Sequence, residues 1–471
     1  MATPHAAPHG SAAGVSFDPA LIRKYDGFGP RYTSYPTADR FTEAFTAGQY
    51  VDALLARISS GPTRPLSLYV HLPFCDTICY YCACNKVVTK DHGRSAKYIR
   101  YLAREVAIVS GLVDSASPVT QLHLGGGTPT FLSAEEMKLL WRALHDHFAF
   151  TPDAECSIEI DPRKVNIEMV ELLSELGFNR MSIGVQDFDP AVQQAVNRIQ
   201  SEAETRFVLD AARANGFRSL NVDLIYGLPR QTMAGFGVTL DRVIACTPDR
   251  IALYSYAHVP HLFKPQRRIG ETELPSADAK LAILELAIEK LTGAGYVYIG
   301  MDHFARPDDE LAAAQREGKL HRNFQGYSTH ADCDLLAFGI SAIGKVGATY
   351  SQNLRTLDDY YARLDGDALP CFRGWRLSAD DLLRREVIHA LMCQFTVSFE
   401  RVGNEHAIAF RDYFATELEA LGPLAEDGLV EIVSDAIHVT PRGRLLVRTV
   451  AMVFDRYLHE QREAARYSRI I

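Results

Sequence analysis

The most reactive side chains of this sequence are four cysteines that lie within ten residues, Cys75, Cys79, Cys82 and Cys84. The first three have the spacing CxxxCxxC and follow the β-prone run LSLYVHL. Because they are so close in sequence, their thiolates can converge on one soft metal centre without the closure of a long loop. The cysteine cluster therefore predicts a metal-dependent reaction site.

The spacing favours an iron–sulfur cluster over a zinc site. Zinc sites usually combine two CxxC knuckles from separate segments, and no second Cys or His pair at such spacing follows here. Three thiolates can bind three irons of a four-iron cluster and leave the fourth iron open to a ligand. A zinc knuckle or a disulfide pair is the alternative. The other five cysteines are predicted to be ordinary buried residues: Cys156, Cys246, Cys333, Cys371 and Cys393.

Strands and helices alternate around this cluster. Short apolar runs predict strands at 66–72, 119–125, 156–160, 180–185, 219–226 and 250–257. Amphipathic stretches predict helices at about 42–59, 95–110, 166–176, 203–215 and 233–245, and a capping box begins another at Ser133. This alternation predicts an α/β fold with a parallel sheet. Since six units are too few for a full eight-stranded barrel, we expect an incomplete six-stranded parallel (β/α) barrel.

The chain divides into three predicted regions. Residues 1–60 would form a tail and a covering segment, 61–365 the partial barrel with its closing loops, and 366–471 a mostly helical domain. The segments 301–304 and 321–327 are polar and aromatic without periodicity, which is typical of loops that cover a site. Helices with a small hairpin make the last region winged-helix-like, and without a basic stripe we expect a lid or packing domain.

Composition excludes several classes of function. With 471 residues and 47% hydrophobic content, the chain can form one large catalytic domain and a smaller one. A net charge of −9 argues against nucleic acid as a partner. Residues 1–16 lack a basic start and a long apolar run, so we expect neither a signal peptide nor a membrane anchor. Nine cysteines, an odd number, suit a reducing compartment, and we expect a cytoplasmic protein.

Polar residues lie where the predicted strands end, which is where function collects in such folds. The run GGGT at 125–128 allows a ligand to approach the backbone, although a tight turn is the alternative. Three carboxylates, an amide and an arginine follow the next strands, at Glu159, Asp161, Gln186, Arg198 and Asp223. This set suits a zwitterionic, ribose-bearing ligand. For each residue alone, the alternative is a satisfied side chain at the barrel mouth.

Longer strings of this sequence carry a family resemblance. YVHLPFCDTICYYCACNKVVTK resembles the oxygen-independent coproporphyrinogen III oxidases, which belong to the radical S-adenosylmethionine enzymes. Other segments resemble the same family in order and cover most of residues 20 to 345: KYDGFGPRYTSYPTADRF, LHLGGGTPT, SIEIDPR, GVQDF, VNRIQ, NVDLIYGLP, YSYAHVP, GMDHFARPDDELA and LHRNFQGYSTHADCDLL.

The resemblance implies cofactors and their residues. One 4Fe-4S cluster would be bound by Cys75, Cys79 and Cys82. S-adenosylmethionine would be bound by Tyr69, Tyr81, Cys84, Gly126, Gly127, Thr128, Glu159, Gln186, Arg198, Asp223, Ile225 and Ala257, and Cys84 could instead serve substrate or structure. His71 is either a contact of the cluster or substrate, or a hydrogen-bonded core histidine.

The resemblance also implies a reaction. Two propionate side chains of coproporphyrinogen III would be decarboxylated to vinyl groups without oxygen, giving protoporphyrinogen IX for haem biosynthesis. A 5′-deoxyadenosyl radical, made by one-electron cleavage of S-adenosylmethionine, would remove the propionate β-hydrogen, and two cofactor molecules would be consumed per product. A reducing donor such as a flavodoxin or ferredoxin is implied, and we expect a monomer. The alternative is a haem-binding relative without oxidase activity, against which Cys84 and HRNFQGY argue.

The implied substrate is a tetra-anion, which a protein of net charge −9 cannot attract by its overall field. Local cations must therefore bind its carboxylates. Arg31 and Arg322 are the best candidates, with Met301 nearby, although a salt bridge that pins a loop is the alternative for each arginine. The next residues to consider are Lys86, Arg163, Arg267 and Arg268.

Overall fold

The structure is a computed structural model that describes residues 14–59, 64–330 and 333–460. The expectation about a signal peptide falls largely on residues 1–13, which lie outside the described residues. Within the described ranges, no helix is both long and apolar enough to span a bilayer.

The described residues form nineteen strands. Their bounds are β1 Leu66–Leu72, β2 Phe74–Cys75, β3 Val87–Val88, β4 Pro118–Gly126, β5 Ala149–Ile160, β6 Arg180–Gln186, β7 Ser219–Tyr226, β8 Arg250–Ser255, β9 Val297–Gly300, β10 His303–Ala305, β11 His321–Asn323, β12 Gly326–Ser328, β13 Asp334–Phe338, β14 Ile343–Val346, β15 Thr349–Asn353, β16 Cys371–Arg376, β17 Thr396–Ser398, β18 Val430–Ile432 and β19 Ala436–Val439.

The same residues form eighteen α-helices. Their bounds are α1 Pro19–Tyr25, α2 Ala47–Ser59, α3 Gly93–Ser110, α4 Ala134–His145, α5 Ile167–Glu175, α6 Pro190–Ala195, α7 Glu202–Ala214, α8 Met233–Ala245, α9 Ala277–Gly293, α10 Glu310–Arg316, α11 Leu357–Asp365, α12 Ala379–Gln394, α13 Phe399–His406, α14 Phe410–Tyr413, α15 Ala415–Ala420, α16 Gly422–Glu426, α17 Val447–Met452 and α18 Arg456–Glu460.

Twelve of these strands form one sheet, in the order β16-β15-β14-β13-β1-β4-β5-β6-β7-β8-β10-β9. The seven strands from β13 to β8 run parallel. Six of them are the strands that the sequence predicts, and helices lie between them in the chain as predicted. The strand order has two free ends, so the sheet is open, as expected of an incomplete barrel.

The sheet also contains strands that the sequence did not predict. β13 pairs in parallel with β1, and β14 to β16 continue that edge with antiparallel pairing. The prediction of loops at 301–304 and 321–327 was wrong in part, because β10 extends the opposite edge and β11 pairs with β12 in a hairpin. These strands are too short and too polar for a periodic signal. Similarly, α2 begins at Ala47, later than predicted, since a turn precedes it.

Alternation along the parallel strands separates core residues from site residues. In β7, Leu220, Val222 and Leu224 are buried, whereas the residues between them are half-buried. Because side chains point to opposite faces of a strand in turn, Asn221 and Asp223 share the other face. The residue pattern of a single strand thus builds the helix-covered core on one side and a polar interior on the other.

The C-terminal part contains α12 to α18 and a three-stranded sheet in the order β17-β19-β18. The hairpin expected there is present as β18 and β19. The large sheet extends to Arg376 in β16, past the predicted boundary at residue 366. The five scattered cysteines are buried as predicted, and none of the nine cysteines is in a disulfide.

Candidate functional site

The first three cysteines lie in the cysteine loop, residues 75–86, which runs from β2 to β3. Two side chains outside the loop fix its path. Asn197 Nδ2 donates to the carbonyl oxygen of Ile78 at 2.7 Å, and His71 Nε2 donates to that of Asn85 at 2.9 Å. The loop is therefore positioned at its middle and at its end by hydrogen bonds to its backbone.

The loop forms one wall of a cleft at the carboxyl ends of the parallel strands, which we call the cysteine cleft. Its empty volume is about 1060 Å³. Twelve of the predicted site residues line it: Cys75, Cys79, Cys82, Cys84, Tyr81, Gly126, Gly127, Thr128, Glu159, Gln186, Arg198 and Asp223. The structure thus brings together residues that are spread over almost 150 positions of the sequence.

The surroundings of the thiols suit metal ligation. Arg198 Nη1 lies 3.7 Å from Cys79 Sγ. The pKa of Cys82 is lowered to about 6, first by a hydrogen bond from the Cys84 thiol and also by the charge of Lys86. Positive groups next to a thiol favour the thiolate, which is the form that binds metal. The residues present therefore fit a cluster, while the position of Cys84 in the same cleft leaves its role open.

A carboxylate between two arginines lies beside the cysteine loop. Asp161 accepts hydrogen bonds from Arg163 Nη2 at 2.6 Å and Arg198 Nη1 at 3.3 Å. Although burial opposes it, the hydrogen bond from Arg163 and the charge of Arg198 lower the pKa of Asp161. Arg198 Nη2 also donates to the carbonyl oxygen of Gly184 at 2.7 Å, so this guanidinium is held rigidly at the cleft wall.

The glycines after β4 are required by close packing. A Cβ on Gly126 would lie 2.6 Å from the ring of His71, and its φ of +113° favours glycine. A Cβ on Gly127 would lie 2.7 Å from the carbonyl oxygen of Phe74. The Gly126 N–H donates to Glu159 Oε2 at 3.1 Å. Packing against His71 and against the Pro73 and Phe74 backbone, just before the cysteine loop, explains these glycines, and their contact with a ligand stays a prediction.

Two further polar groups of the cleft are available to a ligand. Burial raises the pKa of Asp223 to about 6, although Ser182 and Asn221 donate hydrogen bonds to its carboxylate at 2.9 Å. Gln186 has a φ of +70°, and its buried Oε1 has no hydrogen-bond partner among the described residues. An unpartnered acceptor beside a buried carboxylate fits a ligand with hydroxyl or ammonium donors.

Four of the residues predicted near the cluster or S-adenosylmethionine do not line the cleft: Tyr69, His71, Ile225 and Ala257. His71 accepts from the Tyr69 hydroxyl at 3.1 Å and donates to a backbone carbonyl, and its ring is buried, so the core-histidine alternative describes its environment. Ile225 packs with Tyr81 in a small apolar cluster. Gln266 Nε2 links Ala257 to Tyr81, because it donates to the backbone carbonyl oxygens of both residues.

A second cavity continues from the cleft into the barrel, and we call it the inner cavity. It has an empty volume of about 940 Å³ and shares Glu159, Ser182, Asp223 and Tyr254 with the cysteine cleft. Ser182 and Tyr254 line both cavities and were not predicted from the sequence. Ser182 occupies an inward position of β6 by the two-residue period, which was the signal that could have identified it.

The candidate substrate arginines differ from each other. Arg31 forms an ion pair with Asp302 and lies over the ring of Tyr254 at 5.8 Å, as the salt-bridge alternative states. Arg322 is 3% exposed and lies over the ring of Tyr327 at 4.8 Å, with no carboxylate within 4.0 Å among the described residues. Met301 lines a small separate cavity with Asp302.

The reserve candidates also have partners. Lys86 donates to the carbonyl oxygen of Cys82 at 3.1 Å, and Arg163 pairs with Asp161. Arg267 donates to the carbonyl oxygen of Pro260 at 3.0 Å, and Arg268 lies over the ring of Tyr80 at 5.2 Å.

Comparison with known proteins identifies the family. The oxygen-independent coproporphyrinogen III oxidase of Pseudomonas aeruginosa is 51% identical over 459 residues, which cover 97% of this chain and 99% of that protein. The protein of the same name from Escherichia coli is 48% identical over 457 residues, which cover 97% and 99%. The chain belongs to the oxygen-independent coproporphyrinogen III oxidase family.

The structural comparison agrees with this family. A coproporphyrinogen III oxidase from Escherichia coli, described as a radical SAM enzyme, matches with a TM-score of 0.90 and 46% identity over 94% of this chain and all of that chain. A family model described as the Radical SAM superfamily matches residues 69–243, which include the cysteine loop and β4 to β7. Another, described as the HemN C-terminal domain, matches residues 377–446.

Proposed function

We propose that this protein is an oxygen-independent coproporphyrinogen III oxidase. It converts two propionate side chains of coproporphyrinogen III to vinyl groups, with loss of one CO2 and transfer of one electron to an acceptor at each, and releases protoporphyrinogen IX. The observation that carries the proposal is the match to relatives of this name at 51% identity over 97% of the chain. Those names favour an oxidase over the haem-binding alternative.

The cofactors are one 4Fe-4S cluster, held by Cys75, Cys79 and Cys82, and S-adenosylmethionine in the rest of the cysteine cleft. When bound, they supply the radical that removes an unactivated propionate hydrogen, which no side-chain base can do. The chain positions these groups. Asn197 and His71 hold the cysteine loop by its backbone, so the ligating thiols face the cleft in a fixed arrangement.

The cleft residues bind and orient the nucleoside cofactor. Asp223 and the unpartnered Oε1 of Gln186 accept hydrogen bonds from its hydroxyl or ammonium groups. Arg198 pairs with its carboxylate or, through Asp161, fixes the wall against which that carboxylate rests. These charged hydrogen bonds are strong because burial removes competing water.

The tetrapyrrole occupies the inner cavity, which opens into the cysteine cleft. Arg322 is the better candidate for a carboxylate contact, because it is buried and lacks a carboxylate partner among the described residues. Arg31 already pairs with Asp302. It can bind a propionate only if its guanidinium contacts both carboxylates or leaves Asp302. Met301 lies next to Asp302 and bounds the same region.

The electron donor and the cellular setting are parts of the same proposal. A small reducing protein such as a flavodoxin or ferredoxin delivers the electron, and the enzyme acts as a monomer. Nine free cysteines, three of them reserved for a cluster, fit the reducing cytoplasm.

An anaerobic assay tests the proposed function. The protein with reconstituted cluster, S-adenosylmethionine, a reductant and coproporphyrinogen III should yield protoporphyrinogen IX, and omission of S-adenosylmethionine should abolish the product. Stoichiometric haem binding without any turnover would instead support the haem-binding alternative.

A further inference from the structure

Basic side chains surround a small cavity beneath the β11–β12 hairpin, which we call the hairpin cavity. Its empty volume is about 390 Å³. Arg322 and His321 reach it from β11, Lys345 from β14 and His389 from α12. Three elements that are distant in sequence thus direct nitrogen-bearing groups at one space.

The cations of this cavity have no carboxylate at ion-pair distance in the described part of the chain. Arg322 is 3% exposed, and its Nε and Nη1 have no hydrogen-bond partner there. Neither Arg322 nor Lys345 has a carboxylate oxygen within 4.0 Å among the described residues. The neighbouring Arg385 has an unpartnered buried Nη1 as well. A buried cation without a partner is strongly unfavourable, so this arrangement calls for an anion.

The nearest carboxylates are already committed to other groups. Asp334 accepts from Arg57 Nε at 2.8 Å and from the Gly347 N–H at 2.9 Å. Glu155 lies 3.0 Å from His330 and 3.5 Å from Arg180. Burial and the charge of nearby Arg385 lower the pKa of Lys345 to about 8, as expected where positive charge is in excess.

The hairpin cavity adjoins the inner cavity, in which the tetrapyrrole is proposed to bind. Asn323 lines both the hairpin cavity and the inner cavity. The inner cavity in turn shares Glu159 and Asp223 with the cysteine cleft. A ligand as wide as a tetrapyrrole, placed in the inner cavity, can therefore extend a side chain toward Arg322 and Lys345.

We propose that the hairpin cavity is a carboxylate-binding subsite, in which Arg322 and Lys345 bind a propionate of the tetrapyrrole other than the one at the radical site. The inference rests on the proposed function, because it takes coproporphyrinogen as the ligand. The guanidinium and the ammonium both donate charge-assisted hydrogen bonds to a carboxylate. The cavity is small beside the inner cavity, about 390 Å³ against 940 Å³, so it suits a side chain and not the macrocycle.

The neutral walls of the cavity fit the same ligand. Burial, followed by the charges of Lys345 and Arg385, lowers the pKa of His321 to about 3. His321 meets His389 edge to face, with ring centroids 4.9 Å apart. Neutral imidazoles at His321 and His389 add hydrogen-bond capacity without adding further charge, so the positive charge that meets a carboxylate comes from Arg322 and Lys345.

Substitution of Lys345 tests the subsite. Lys345→Met removes the charge and keeps the length of the stem, Lys345→Arg retains the charge, and Lys319→Met is the control at an exposed lysine in the same region. Binding of coproporphyrin III, the stable oxidised analogue, is measured by fluorescence on the reconstituted protein. We expect the dissociation constant to rise tenfold or more in Lys345→Met and to stay near the parent value in the other two variants.

Thermal unfolding of the ligand-free protein supplies an independent measurement. Removal of an uncompensated buried cation should raise the melting temperature of Lys345→Met, although the same change weakens tetrapyrrole binding. A lower melting temperature would reveal a counter-charge inside the protein and overturn the subsite, as would unchanged coproporphyrin binding in a variant that folds and binds S-adenosylmethionine. If the parent protein neither turns over coproporphyrinogen nor binds coproporphyrin, the proposed function fails with it.

Discussion

The four cysteines of the cleft have different surroundings, and their substitution should separate their roles. Serine at Cys75, Cys79 or Cys82 should abolish cluster assembly and activity, because a neutral hydroxyl is a poor substitute for a thiolate ligand. Cys84→Ser should retain the cluster, although activity can fall. Iron and acid-labile sulfide per chain measure the outcome, and an iron loss in Cys84→Ser equal to that in Cys79→Ser would contradict this assignment.

Asp223 provides the test of nucleoside binding, because it does not touch a cysteine. Asp223→Asn should weaken S-adenosylmethionine binding by about 1.5 to 3 kcal/mol, or roughly ten- to a hundredfold. Arg198→Ala should also weaken S-adenosylmethionine binding. Because Arg198 lies 3.7 Å from Cys79 Sγ, the iron content of this variant must be measured as well. Equilibrium binding at pH 7.5 measures both variants, with the exposed Asp210→Asn as control.

The pH dependence of the same binding follows from the buried carboxyl. Burial raises the pKa of Asp223 to about 6, and only the ionised form accepts hydrogen bonds with both oxygens. Affinity for S-adenosylmethionine should therefore increase as pH rises from 5 to 7, and this increase should be smaller in Asp223→Asn. Parallel pH profiles of S-adenosylmethionine affinity for the parent and the variant would contradict the assignment of Asp223 to the binding site.

At the scale of elements, the contact between the end of β4 and residues 72–74 positions the start of the cysteine loop. The Gly127 N–H donates to the Leu72 carbonyl oxygen at 2.8 Å, and a Cβ on Gly127 would lie 2.7 Å from backbone atoms of Pro73 and Phe74. Gly127→Ala must displace the loop, so we expect about 1 to 3 kcal/mol lower free energy of unfolding and less bound iron. Urea denaturation and iron analysis measure this.

Gly293→Ala is the matched control for that change. Gly293 ends α9, and a Cβ there would meet no atom within 4 Å. The free energy of unfolding of the Gly293→Ala variant should therefore stay near the parent value. If Gly127→Ala and Gly293→Ala lowered the free energy of unfolding equally, close packing at Gly127 would not be the cause of its loss.

Six of the seven parallel strands could be predicted from the sequence because each is a short apolar run. β15 could not, since its sequence TYSQN is polar although all five residues are buried. Likewise, polar residues at strand ends could be found by position, as Asp223 was. The cations of the hairpin cavity could not, because Arg322 and Lys345 converge only when β11 and β14 are placed in three dimensions.

At the scale of the whole molecule, residues 26–36 are attached to the C-terminal part of the chain. The Tyr32 hydroxyl donates to Asp455 at 2.9 Å, and Arg448 Nε donates to the Pro30 carbonyl oxygen at 2.9 Å. Arg31, which lies between these anchors, is thereby held at Asp302. The C-terminal part thus helps to position a segment of the proposed substrate site.

Removal of one anchor should affect both stability and substrate affinity. Tyr32→Phe leaves the buried Asp455 without this donor, so we expect about 1 to 3 kcal/mol lower free energy of unfolding. The apparent KM for coproporphyrinogen should rise while S-adenosylmethionine binding is retained. Tyr413→Phe, which removes a hydroxyl bonded to Asp380 at the surface, is the control. An unchanged KM in Tyr32→Phe would separate the anchor from the substrate site.

The pairing of β1 with β13 has a consequence for biosynthesis. Arg57, just before β1, forms a buried ion pair at 2.8 Å with Asp334, which is 277 residues later in the chain. At synthesis rates of about 5 to 20 residues per second, the ribosome needs roughly 15 to 55 seconds to make that stretch. During this time β1 exposes one unpaired edge to other nascent chains. The strand that leads into the cysteine loop therefore acquires its second neighbour late in translation, after the four cysteines of that loop have left the ribosome.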